Sequence, residues 1–377
     1  MIQNCRVRCG GSGFALCFAM SVFTTSVSWA APEELADLLQ KRLDANPKLP
    51  SLCAVAIVDG QLRGSGAVGV RKLGDATRIT TSDKFHLGSC TKSFTATLAA
   101  ALVEEGKLTW QTKIHDVLGD LEPHAEYANV TLAQLVTNTG GFPTAVPPNI
   151  WRNAWFAKGS HQMHRESFAR SMLQRKPTYP PGIGYEYSNT GFSVAGVMLE
   201  ETMDVAWEKL IEDRIFTPLQ MKTGGFGAPA NGDRIPNQPW GHNAQGKPIP
   251  AGPGADNPPA IAPANAIHCS LPDLARYVLL HMKRETGTVI KQAKSFETLH
   301  TVAAENYAMG WIVADKPKAG GKVLTHMGSN TMFTMLIWIA PDRDFAAIVA
   351  SNIGHGVAAG DCNQVVGDLA RRYLANR

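Results

Sequence analysis

The chain is 377 residues long, with 36 Lys+Arg against 32 Asp+Glu and a formal charge of +4. At 44% hydrophobic and 18% charged it is no disordered tail, and it can fill one large domain or two ordinary ones. A basic excess this small, with no Lys/Arg run, excludes the electrostatic footprint of a nucleic-acid binder.

The first thirty residues differ from the rest. Arg6 and Arg8 precede an apolar stretch from Phe14 to Phe23, and Ser28-Trp29-Ala30 ends it with small residues around a cut site. This is the grammar of a secretory leader, so export to the periplasm or medium is expected, with cleavage near Ala30. The alternative is an uncleaved anchor, although the run is shorter than the about 20 residues a bilayer span needs. The mature chain carries no other candidate span.

Next, Leu35, Leu38, Leu39 and Leu43 form one stripe and predict a helix over Pro32–Ala45. Leu52–Val58 reads as a strand, stopped by Asp59-Gly60, a favoured type I′ hairpin turn, with a Gly-rich return strand to Val70. The far end mirrors this, with strands Met332–Ala340 and Phe345–Ser351 around a Pro341–Asp344 turn, then a helix over Asp361–Ala375. Between Ile114 and Phe216 the pattern is helices and loops, including Thr131–Thr137, Glu166–Leu173, Thr190–Thr202 and Ala206–Ile215. Residues 228–266 are rich in Pro, Gly and Asn without periodicity, which marks a surface connection or a loop over a site. Ser270, Pro272 and Asp273 then open a helix to Arg284. The expected class is α/β (α+β), an antiparallel sheet built from both chain ends and flanked by helices. The expected division is a leader at 1–30, a sheet domain at 31–113 plus 267–377, and a mainly helical inserted domain at 114–266.

Ser89-Cys90-Thr91-Lys92 is a Ser-x-x-Lys between strand-like Lys84–Leu87 and a helical run, Ser93–Glu105, that ends at Gly106. At this spacing Ser89 and Lys92 share a helix face. A serine hydroxyl needs a base, and a desolvated lysine with a depressed pKa can serve. Tyr187-Ser188-Asn189 supplies a phenol for proton relay, held partly as phenolate beside a cationic lysine, and an amide for positioning. Tyr127-Ala128-Asn129 has the same spacing and is a decoy; Tyr187 is preferred because Pro180-Pro181-Gly182 precedes it and a helix from about Thr190 follows, placing it at a helix edge. His326-Met327-Gly328-Ser329 precedes a strand, where Gly328 permits close backbone approach and the following N–H can stabilise an oxyanion. His161 and His164 lack the glutamate of a zinc motif and read as polar residues on a solvated helix face.

In this order the three elements resemble the serine β-lactamase and penicillin-recognising hydrolase superfamily, in its class C-like branch. Leu102–Leu108, Phe216–Leu219 and Asp273–Arg276 resemble it too. The resemblance implies a β-lactamase/transpeptidase-like fold and an acyl-enzyme on Ser89, with Lys92 and Tyr187 sharing acid–base work. It implies that Asn189 positions, that the Ser89 and Ser329 backbone N–H groups form the oxyanion hole, and that His326 lines the far wall. No metal or cofactor is implied. The expected substrate is a small molecule or peptide, cell-wall peptide included, cut at an amide, β-lactam or D-amino-acid peptide bond. Small esters are the alternative, and a non-turning-over sensor or binding protein is the alternative of another class.

Three positions depart from the family pattern. His326 stands where a lysine usually holds a substrate carboxylate, so its charge would set substrate class. Asn138-Thr139-Gly140-Gly141 replaces His-Thr-Ser-Gly, read as a structural loop change, and Asn265-Ala266 replaces Gly-Gly. Of the cysteines left after the leader, Cys90 is expected buried and reduced. Any disulfide would join two of Cys53, Cys269 and Cys362.

Overall fold

The computed structural model describes residues 32–156, 158–233 and 235–375; the expected leader lies outside the described residues. Seven strands form one sheet: β1 (Glu33–Glu34), β2 (Ser51–Val58), β3 (Gln61–Gly69), β7 (Ile312–Lys316), β8 (Gly321–Gly328), β9 (Thr334–Ala340) and β10 (Phe345–Ser351). Their order is β1-β3-β2-β10-β9-β8-β7, so the two chain ends meet at the β2–β10 pair. Every pairing is antiparallel except β1 on β3. A second sheet, unforeseen, pairs β4 (Lys84–His86) and β5 (Gly225–Phe226) with β6 (Ile267–Ser270).

Central strands β2 and β10 are buried throughout, which explains their unbroken apolar runs. Their period of two still operates. Cys53, Val55 and Ile57 point into the larger core beside the internal helices, whereas Leu52, Ala54 and Ala56 point to the terminal helices Ala36–Ala45 and His355–Leu374. Asp59 and Gly60 both take positive φ, 53° and 77°, as the hairpin turn demands. Helices Thr91–Glu104 and Asn189–Met203 are buried on nearly every side, and the sheet, the irregular segment and the other helices wrap them.

Several boundaries move. The first helix starts at Ala36 rather than Pro32, because Glu34 Oε1 accepts the Leu35 and Ala36 N–H groups at 3.0 Å. Its neighbour Glu33 is held by Arg372 and Tyr373 as an edge strand. The last helix starts at His355, six residues early. Ala358, in the added turns, buries against the sheet and holds them helical. The 166–173 helix begins at His161, capped by Ser160, and the 206–215 helix widens into a π-turn over Glu212–Phe216. His161 meets Glu208 at 3.1 Å, but the His164 ring nitrogens are buried without hydrogen-bond partners, so the pair does not share a solvated face. Among the described residues no helix is long and apolar enough to cross a membrane. Cys53, Cys90, Cys269 and Cys362 are all buried free thiols.

Burial drives four histidines below their ordinary range: His268 to about 4, His300 and His326 to about 3, and His281 well down. The folded chain therefore binds fewer protons than the unfolded chain between pH about 3 and 6.5, so stability falls as pH drops through that window. Urea titrations at pH 7.0 and 5.0 should show a clearly lower midpoint at 5.0; equal midpoints would contradict this.

Candidate active site

The strand β4 delivers the chain to a short 3₁₀ turn, Gly88–Cys90, which runs directly into the helix Thr91–Glu104. Ser89 is the half-exposed residue of that turn, and Lys92, one turn on, is fully buried behind it. Lys92 Nζ lies 3.1 Å from Ser89 Oγ, 2.6 Å from Asn189 Oδ1 and 3.2 Å from the Ala264 carbonyl. Burial brings its pKa down from 10.5 to about 7. A neutral amine has two N–H donors and one lone pair. The two carbonyl-type oxygens, Asn189 Oδ1 and Ala264 O, can only accept, so they take the donors and leave the lone pair for the Ser89 hydroxyl proton.

Tyr187 closes the other side. Lys92 Nζ sits 4.7 Å from its ring centre. Burial pushes the phenol well above its usual range, and only the interaction with Ser89 pulls it back. The expected partial phenolate is therefore corrected: desolvation penalises both charged forms, so the phenol stays neutral and the amine is free of its proton above pH about 7. The decoy Tyr127 stacks on Phe142 with its hydroxyl donated to the Gly141 carbonyl, away from Ser89.

The end of β8 presses backbone to backbone on the Ser89 turn. A Cβ added to Gly88 would fall 2.1 Å from Ser329 N, and one on Gly328 would fall 1.9 Å from Leu87 O and 2.8 Å from Ser89 N. Gly88 also takes φ +52°, a conformation that favours glycine. Two glycines thus bring the Ser89 and Ser329 amide groups side by side.

His326 is buried, with Nδ1 3.0 Å from the Met327 carbonyl and Nε2 without a hydrogen-bond partner. Burial and the neighbouring Lys92 hold it near a pKa of 3, so it is neutral across the physiological range. Burial thus weighs against the expected charge switch at this position. Its ring instead completes an aromatic wall with Tyr187 and Tyr307, each 6.2 Å away between centres.

Two residues of this site carried no functional signal in the sequence. Tyr307 lies over Tyr187 at 5.9 Å with a buried hydroxyl, reached because Gly310 lets its hairpin touch the backbone of Lys92 and Ser93. Asn138 accepts the Ser188 N–H on Oδ1 at 3.1 Å, and its carbonyl accepts from Glu186 N–H and the Tyr179 hydroxyl. The loop change at 138–141 therefore props the Tyr187–Asn189 segment. Asn265 is likewise buried at the site and donates to the Ser329 carbonyl at 3.3 Å.

The α+β fold, with its mixed sheet and flanking helices, is that of the β-lactamase/transpeptidase class. Residues 35–371 match the β-lactamase family, and the chain belongs to that family of serine hydrolases and penicillin-binding proteins. It is similar to an unguisins hydrolase of Aspergillus campestris, 25% identical over 346 residues, covering 85% of this chain and 61% of that one. It is also similar to penicillin-binding protein 4 of Amycolatopsis lactamdurans, 31% identical over 185 residues (48% and 46% of the two chains). A β-lactamase of Escherichia coli is 23% identical over 315 residues, 79% and 76% of the two. The chain thus spans about three fifths or less of the first two relatives. In structure it resembles the octameric penicillin-binding protein homologue from Pyrococcus abyssi, with TM-score 0.72, 23% identity and coverage of 90% and 78%. SurE with D-Leu follows at TM-score 0.69, 18% identity and coverage of 89% and 74%.

Proposed function

We propose that this chain is an exported serine hydrolase that forms an acyl-enzyme on Ser89 and acts on amide or ester bonds with no carboxylate beside them. Lys92, as the free amine, takes the Ser89 proton while Oγ bonds to the substrate carbonyl carbon. The oxyanion forms against the Ser89 and Ser329 amide groups. The proton then passes from Lys92, by way of the Tyr187 hydroxyl, to the leaving nitrogen or oxygen as the bond to carbon breaks. Water repeats the sequence in reverse, giving up one proton to the same pair, releasing the acid and restoring Ser89. Asn189 holds Lys92 by its amide oxygen and leaves its NH₂ for the substrate.

The observation that carries the reading is Lys92, buried, near pKa 7 and aimed at Ser89 Oγ. Neutral His326, at the position where the resembled family pattern places a lysine, favours uncharged substrates: interior or amidated D-amino-acid peptides and small esters ahead of peptides ending in free D-Ala-D-Ala. β-Lactam turnover is the second reading, favoured by the β-lactamase and penicillin-binding relatives.

A panel of p-nitrophenyl esters, D-amino-acid amides, a chromogenic cephalosporin and D-Ala-D-Ala peptides, run from pH 5.5 to 8.5, tests both. The ratio of KM for anionic to neutral substrates should stay flat with pH, since His326 does not titrate there. His326→Lys should lower KM for the anionic member about ten- to a hundredfold, the scale of one charge-assisted hydrogen bond. A KM ratio that climbs as pH rises would restore a charged His326 and defeat the preference for uncharged substrates. Burst acylation without turnover on every substrate would point to a sensor.

A further inference from the structure

The chain holds a second histidine and an aspartate beside the nucleophile, and their geometry assigns them a task other than proton transfer. His86 lies three residues before Ser89 on β4 and is fully buried. Its Nδ1 accepts the Gly88 N–H at 3.0 Å, so Nδ1 bears the lone pair and Nε2 the hydrogen. Nε2 lies 2.9 Å from Asp256 Oδ1, with the carboxylate off the N–H axis, a close electrostatic contact rather than an aligned hydrogen bond. Both ring nitrogens are thereby engaged away from Ser89 Oγ. A Ser-His-Asp relay is ruled out by direction.

The same carboxylate oxygen reaches the other arm of the site. Asn330 Nδ2 approaches Asp256 Oδ1 at 3.3 Å and the Ala255 carbonyl at 3.5 Å. Asn330 Oδ1 in turn accepts the Met332 and Phe333 N–H groups, fixing the turn that follows Ser329. Asp256 belongs to the irregular 228–266 segment, where the Asn257 N–H at 2.7 Å also holds it. It forms part of the wall of a cavity of about 330 Å³ shared with Asn265, the residue that donates to the Ser329 carbonyl. One side chain from a loop with no periodicity therefore ties together Gly88, just before one amide donor, and Asn330, just after the other.

We propose that His86 and Asp256 are positioning residues that, through Asn330, fix the separation and aim of the Ser89 and Ser329 N–H groups. This rests on the acyl-enzyme reading above. Donors aimed at the developing oxyanion act only in the transition state, so a loss of aim lowers kcat and leaves KM little changed.

The test measures the second-order rate of fluorophosphonate labelling of Ser89 by intact mass, with kcat and KM on a p-nitrophenyl ester, in the whole protein. His86→Phe and Asp256→Leu should slow labelling and kcat about tenfold or more, below the 10²–10³ of an outright donor deletion. KM should change less than about threefold, the pattern of an interaction made only in the transition state. His86→Gln, which presents an acceptor to Gly88 and a donor to Asp256, should recover to within about threefold of wild type, and Asp256→Asn, which keeps an oxygen for Asn330 but loses the charge facing Nε2, should fall between wild type and Asp256→Leu. Wild-type rates in a folded Asp256→Leu overturn the inference. So does an equal loss in the Gln and Phe variants, which would mean packing alone. If wild-type Ser89 itself takes no label, the acyl-enzyme reading fails first and the inference falls with it, a result distinct from either of these.

Discussion

Ser89→Ala should abolish labelling by a fluorophosphonate and lower kcat by about 10⁴-fold or more, the scale of removing the nucleophile of a preorganised hydrolase. The fold should be untouched. Ser89 is half-exposed, and the lysine its hydroxyl meets keeps two other partners, Asn189 and Ala264. A loss confined to turnover, with unchanged thermal midpoint, is the expected pair of results. Residual activity within tenfold of wild type would place the nucleophile elsewhere.

Lys92 carries the second large effect, and its sign follows from burial. The base is the free amine, and its pKa is about 7. Log kcat/KM should therefore rise with unit slope below pH 7 and level off above it, and Lys92→Ala should lose at least about 10²-fold. The same shift sets a stability trend. The folded-state pKa lies below the unfolded value of 10.5, so the burden of burying this group is fully present below pH 7. It is relieved as pH climbs from 7 toward 10.5, where the unfolded chain binds the extra proton. Lys92→Met should thus be inactive yet more stable than wild type at pH 6–7, by a margin that shrinks toward pH 10. A rate profile flat between pH 5.5 and 8 would remove Lys92 from the role of base.

Much of the architecture was legible because it rests on local chemistry. The Asp59-Gly60 turn, the Ser270 cap with Pro272 and Asp273, and the paired apolar strands near both ends each follow from backbone sterics or two-residue periodicity. Two of the misplaced ends share a cause. The last helix and the 161–173 helix extend where buried contacts or a cap outweigh weak intrinsic propensity, and window-based reading sees propensity alone.

For the site, the sequence determined which groups are available: a serine and a lysine on one helix face, a tyrosine and an asparagine at the start of another helix, and a glycine at a strand end. Tertiary structure decided their states. Whether Lys92 is a cation or a base, Tyr187 a phenolate or a phenol, and His326 a charge or an aromatic wall depends on desolvation by residues up to hundreds of positions away. No local pattern encodes that burial. The same holds for Asn138, Tyr307, His86 and Asp256, whose short polar or aromatic side chains are common in any chain. They gain meaning only where a glycine contact or a loop crossing brings them within hydrogen-bonding or ring-contact range of the Ser89 turn and its neighbours.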